Sequence, residues 1–152
     1  SDVFQKGDAI MLGKCLCGDI EFSCEIQTEP FKIYQCHCSL CKKQSGSSSN
    51  SATIIEANHF KWIKKDTIKT WQKETGFSSH FCANCGSPVP NAFADSYYWI
   101  PVGLLGFENK AFDIELVANF CLTSKSSWHN VYKKSENFDG LPDFKTILEL
   151  LS

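Results

Sequence analysis

The chain has 152 residues, enough for one ordinary domain with a core of its own, and 43% hydrophobic with 21% charged residues is a globular composition. The formal net charge is −2 and all 15 basic residues are lysines. That balance offers no basic field to nucleic acid or to an anionic membrane, and without arginine there is no bidentate fork for guanine or phosphate. The sequence shows no signal-peptide pattern and no apolar run of spanning length. The expectation is a protein without nucleic-acid or membrane partners; oligomeric state is left open.

Residues 1–10 precede the first motif, and Met11 stands just before it. They are expected to be a loose N-terminal arm or a remnant of appended sequence, with 11–152 forming the folded domain. Over residues 19–26, Ile20, Phe22, Cys24 and Ile26 alternate with polar residues, the pattern of a half-buried strand with Cys24 as a small core residue. Ser39 is placed to cap a short helix that runs through Cys41 and Gln44 and ends near Gly46. The stretch SGSSSNS (45–51) reads as a flexible loop.

Segments 59–63 and 67–71 read as a hairpin around Lys65 and Asp66. Residues 97–104 read as extended, with Phe93, Tyr97, Tyr98 and Trp99 as core aromatics. From Phe112, the residues Ile114, Leu116, Ala118, Phe120 and Leu122 keep a period of two. Phe144, Ile147, Leu148 and Leu151 follow helical spacing, with Pro142 near the start, so a C-terminal helix is expected to lie as a lid on the sheet. The elements together predict a mainly β fold: a single domain of short antiparallel sheets, with a short helix after Cys36, Cys38 and Cys41 and a C-terminal helix.

Seven of the nine cysteines fall into tight clusters: Cys15-x-Cys17, Cys36-x-Cys38-x-x-Cys41 and Cys82-x-x-Cys85. Cysteine content is below the ~8–10% of disulfide-dense short chains, and clustered spacing suits metal rather than bridges. Thiolates on zinc in a reducing cytoplasm account for it better than disulfides do. A structural zinc takes four protein ligands, whereas a catalytic zinc takes three and leaves one position for water or substrate. The two doublets supply four sulfurs and the triplet supplies three. The chain is therefore expected to hold two Zn²⁺, a structural one on Cys15, Cys17, Cys82 and Cys85 and a catalytic one on Cys36, Cys38 and Cys41. A second reading closes the triplet site with a distant histidine or with Cys121, which otherwise reads as a packing residue. His37, between two ligands, is expected to point away from the metal. His59 and His80 read as ordinary strand or loop histidines. Lys42 and Lys43, just after the triplet, are candidates for holding an anionic substrate.

GKCLCGDIEF (13–22), CHCSLCKKQSG (36–46), FCANCGSPV (81–89), SKSSW (124–128) and LPDF (141–144) occur in an order and spacing that resemble the glutathione-dependent formaldehyde-activating enzyme family. Its superfamily also contains centromere protein V. The resemblance implies a β fold built around zinc, with the same division of the seven cysteines between a structural and a catalytic ion. The implied activity is that of a carbon–sulfur lyase acting as an S-(hydroxymethyl)glutathione synthase: addition of glutathione, a small thiol, to formaldehyde or a related small aldehyde. Lys42 and Lys43, by their position just after the triplet, are the candidate glutathione contacts. Lys42 stands where the family usually has arginine, GLLGFE (103–108) replaces a glycine-x-leucine-aspartate turn, and Asn119 stands where a histidine is common. Two alternatives share the scaffold: a non-catalytic, zinc-stabilised interaction module, and a lyase for a different small thiol adduct.

Overall fold

The structure is a computed structural model that describes residues 10–106 and 113–152. Residues 1–9 of the expected arm, Phe112 at the head of the expected strand, and the last two residues of GLLGFE lie outside the described residues. The chain runs β1 (Ile10–Lys14), β2 (Glu21–Glu25), β3 (Phe31–Cys36), α1 (Ser39–Ser45), β4 (Asn50–Glu56), β5 (Phe60–Lys64) and β6 (Ile68–Gln72). It continues through β7 (Ser78–Cys82), β8 (Asn91–Phe93), β9 (Tyr97–Pro101), β10 (Ile114–Phe120), β11 (Glu136–Asn137) and α2 (Phe144–Leu151). The fold is mainly β, as the alternation implies.

Three sheets result: β1-β2-β5, a central β11-β10-β3-β4-β9-β8, and the pair β6-β7. The central sheet is covered on both faces. On one, Phe31, Ile33, Ile55 and Ile100 pack against Met11, Phe22 and Cys24 of the first sheet. On the other, Tyr34, Ala52, Ile54 and Trp99 pack with Ile147 and Leu151 of α2, the lid that the helical spacing predicts. Asp143 caps α2 by accepting a hydrogen bond from the Thr146 N–H at 2.9 Å. Cys24 is buried, as its place on the apolar face requires. Phe93 is more exposed than a core aromatic and lies edge-on to Phe144, whereas Tyr98 stacks on Phe60.

Four local expectations are corrected. The segments around Lys65 and Asp66 do not form a hairpin: β5 pairs with β2, and β6 pairs with β7. Phe60 and Trp62 alternate onto Phe22 at ring-centroid distances of 5.5 and 6.2 Å, and this burial draws β5 into the first sheet. β10 is not antiparallel: it runs parallel to both β3 and β11, with a register shift between Leu116 and Ala118. Its period of two is lost where both faces are covered, so Val117, Ala118, Asn119 and Phe120 are all buried. The cap of α1 is Cys38 rather than Ser39, because the Cys38 sulfur accepts the Cys41 N–H at 3.3 Å. Residues 45–51 are not a loose loop: Ser48, Ser49 and Asn50 are buried, and Asn50 Nδ2 donates to Gln44 Oε1 at 2.7 Å.

Candidate metal centres

The first cluster forms where two turns meet. Cys15 and Cys17 lie in the turn between β1 and β2, where the Cys15 sulfur accepts the Ile20 N–H at 3.3 Å. Cys82 ends β7, and Cys85 follows in a turn closed by the Gly86 N–H donating to the Cys82 carbonyl at 2.8 Å. Gly18 and Gly86 have φ of 84° and 83°, left-handed conformations that a side chain would strain. The Leu16 N–H donates to Ser87 Oγ at 2.9 Å, tying one turn to the other. All four sulfurs lie within 4.8 Å of one another. The Cys15–Cys17 and Cys17–Cys82 separations are 3.7 and 3.8 Å. Two sulfurs at the usual ~2.3 Å from one tetrahedral zinc are about 3.8 Å apart, so this donor set fits that ion.

The electrostatics point the same way. The Ser87 hydroxyl and backbone hold the Cys85 thiol down, at about 5, and the Thr67 hydroxyl lowers Cys82. For Cys17, hydrogen bonds at Asp19 and Asn84 lower the thiol, but desolvation with Cys15 and Cys85 alongside pushes it up to about 11. Thiolates are favoured on one side of the cluster and opposed on the other, the conflict that a dication at the centre removes. Cys15, Cys82, Ile20 and Val89 also form a small apolar cluster with Ile68, so this site lies within packed residues.

The second cluster is local. Cys36 is the last residue of β3, Cys38 caps α1 and Cys41 lies in its first turn. Their sulfurs also lie within 4.8 Å of one another, with Cys36 buried and Cys38 and Cys41 half-buried. A hydrogen bond that the Cys36 thiol donates to Cys41, burial and the Cys41 charge raise the Cys36 thiol above its ordinary value, outweighing the hydrogen bonds at Cys38 that lower it. This donor set, too, suits zinc, with three ligands against four.

His37 points away from the three sulfurs. It is fully buried, with Nε2 2.8 Å from Asn119 Oδ1 and its backbone N–H donating to the Phe120 carbonyl at 2.9 Å. Asn119 Nδ2 donates in turn to Ser135 Oγ at 2.9 Å and Asn137 Oδ1 at 3.3 Å. The amide oxygen therefore faces His37 as acceptor, and Nε2 carries the proton. His37 Nδ1 has no hydrogen-bond partner, and the His129 ring stands edge-on at 4.6 Å. His129 Nδ1 lies 2.8 Å from Ser48 Oγ. Sequence reading missed this buried polar group; a lone asparagine within the apolar run VANF was its one signal. His59 pairs with Glu25, and His80 lies between Thr70 and Ser78.

Cys121 packs against the core between the central sheet and α2, as expected, and its sulfur lies 3.9 Å from that of Cys36. Burial, then the charge of Cys36, pushes the Cys121 thiol up to about 11. Lys42 Nζ donates to the Ser124 carbonyl at 2.6 Å, while Lys43 is exposed on α1. Two cavities of about 430 and 450 Å³ are lined by residues 62–67 with Asp19, and by residues between the first sheet and the end of α2. None of Cys36, Cys38 and Cys41 lines either one.

A β domain with a four-thiol and a three-thiol cluster belongs to the class of proteins able to hold metal at two separate points. More narrowly, residues 10–121 match the model of the family described as glutathione-dependent formaldehyde-activating enzyme, and the chain belongs to that family. All seven clustered cysteines lie inside the match. The fold is also similar to the crystal structure of a Rhodobacter sphaeroides protein, at 20% identity over 62% of this chain and 86% of that one, with a TM-score of 0.51. No curated protein matches the chain. Among the described residues, no helix is long and apolar enough to cross a membrane.

Proposed function

We propose that this protein is a zinc-dependent carbon–sulfur lyase of the cytoplasm that joins glutathione, or a similar small thiol, to formaldehyde or a related small aldehyde. The observation that carries the reading is the three-sulfur cluster, with two members reachable from solvent, in a chain of this family. Cys15, Cys17, Cys82 and Cys85 would hold a structural zinc, and Cys36, Cys38 and Cys41 a catalytic one. A zinc in a three-thiolate site supplies a position where a thiol is favoured as thiolate and a Lewis acid for a carbonyl oxygen.

The chain's own residues prepare that site. The Cys41 N–H donates to the Cys38 sulfur and so fixes it at the start of α1. His37, held by Asn119 and the Phe120 carbonyl, fixes the backbone between Cys36 and Cys38. Lys43, and Lys42 after release of the Ser124 carbonyl, are the cations available to a glutathione carboxylate. In the addition, a sulfur–carbon bond forms, the carbonyl π bond opens and the carbonyl oxygen takes the proton lost by the thiol. Proximity of thiol and carbonyl supplies the rate. No side chain is assigned as general base.

Cobalt replacement tests this directly. Titration with glutathione should change the thiolate-to-metal charge-transfer band saturably, and Cys38→Ser should abolish the change. The rate of adduct formation should exceed the uncatalysed background. The rival reading is the non-catalytic, zinc-stabilised interaction module. A spectrum indifferent to millimolar thiol, with no rate above background, would establish that reading instead.

A further inference from the structure

We propose that Cys121 is a fourth sulfur ligand of the Cys36, Cys38 and Cys41 site, closing it in the resting protein and yielding its place to an incoming thiol. The proposal rests on the reading that the triplet holds a metal ion, and it adds a step of regulation to that site. The first support is distance. The Cys36–Cys121 sulfur separation of 3.9 Å nearly equals the 3.7 and 3.8 Å between sulfurs within the four-thiol cluster. It is close to the roughly 3.8 Å edge of a tetrahedral zinc–thiolate site.

The second support is backbone conformation. β10 and β3 are in parallel register, with Phe120 opposite Cys36. Cys121 is the next residue and has a φ of 60°, a left-handed conformation uncommon for any residue with a side chain. The strand stops there, the Cys121 N–H donates to the Gly140 carbonyl at 3.0 Å, and the sulfur meets Cys36. Strain of this kind persists where surrounding structure imposes it, and it gathers at functional sites.

The third support is asymmetry. The mutual group of sulfurs within 4.8 Å comprises Cys36, Cys38 and Cys41, and Cys121 stands outside it while its sulfur meets that of Cys36 at 3.9 Å. Three ligands thus come from one short stretch and the fourth from another strand end. A ligand held on one edge is the one that exchanges. Three thiolates leave a dication with one net negative charge, and the fourth raises that to two. With a dication held there, an incoming thiol would take the place of Cys121 without changing the charge at the site, its proton passing to the released Cys121 sulfur.

The test is residue-resolved alkylation of the full chain, zinc-loaded and chelator-stripped, read by mass spectrometry. Zinc should slow alkylation of Cys121 about as much as that of Cys41, while Cys24, buried outside both clusters, should be unaffected. Chelator competition gives the second readout. Cys121→Gly, which suits the left-handed φ, should weaken one of the two zinc ions by about tenfold or more, the lower end of what loss of even an outer partner costs. In the cobalt form the same variant should take up external thiol at lower concentration. Protection of Cys41 with Cys121 unprotected would overturn the assignment and leave the proposed function standing. Protection of neither would remove the metal from the triplet, and both readings with it. Protection of Cys121 with unchanged zinc affinity in Cys121→Gly means shielding alone and also overturns the proposal. So does loss of Cys121 reactivity without zinc that reductant restores, since that identifies a Cys36–Cys121 disulfide.

Discussion

The four sulfurs around Cys82 come from two turns, with Cys17 and Cys82 separated by 65 positions, whereas the three around Cys38 come from one stretch of β3 and α1. The first cluster joins elements that share no backbone ladder, since β6 and β7 form a sheet of their own. A two-stranded hairpin alone is marginal in water. Most of β6 is exposed, Trp71 included, and the hairpin's inner face has only the small cluster around Ile20, Cys82 and Val89. The second cluster sits at the end of a six-stranded sheet packed on both faces. Metal at the first site should therefore hold the fold together, and metal at the second should not.

Cys82→Ser gives the largest expected effect. Structural zinc binding is folding free energy, on the order of 10 kcal/mol, which is comparable to the whole stability of a domain. The variant should be insoluble or molten, and mild chelation of the native protein should raise hydrogen exchange in β6 and β7 before the central sheet. A well-folded Cys82→Ser with an unchanged melting curve would erase the contrast.

Asn119→Ala comes next. It removes the acceptor from buried His37 and should cost about 1–3 kcal/mol in denaturant unfolding, with the four-thiol site still loaded. Loss of zinc from the four-thiol site in this variant would mean that the two regions are not independent.

Cys41→Ser should disturb the fold least. The protein should stay folded, with a melting temperature within a few degrees of the native one, but with one zinc fewer by metal analysis and no activity. Global unfolding would make both sites structural.

The two clusters were legible because metal ligation leaves a spacing signature that needs no tertiary information: Cys-x-Cys, Cys-x-x-Cys and a following glycine. The strand at 19–26 and α2 were legible because each buries one face, so periodicity survives in the sequence. Partnership between strands was not. Nothing near Lys65 and Asp66 says that Phe60 and Trp62 will seek Phe22 rather than the next strand. β10 hid its orientation for a related reason: its partner β3 lies some eighty residues upstream, and coverage of both faces erased its alternation. Asn119 and Cys121 became part of the triplet's surroundings only through that pairing.

The parallel pairing of β10 with β3 also sets the order in which the nascent protein can be completed. The triplet is whole once residue 41 has been made, and the opposing doublet once residue 85 has followed. The central sheet must wait for β10, and its lid for α2, which follows later still. During synthesis, Cys36, Cys38 and Cys41 therefore spend the interval without Asn119 and Cys121 beside them, open on the side those residues later cover. Contacts that distant in sequence also slow folding. A cell making this chain in quantity thus presents these three thiols bare on the nascent chain until β10 has been made.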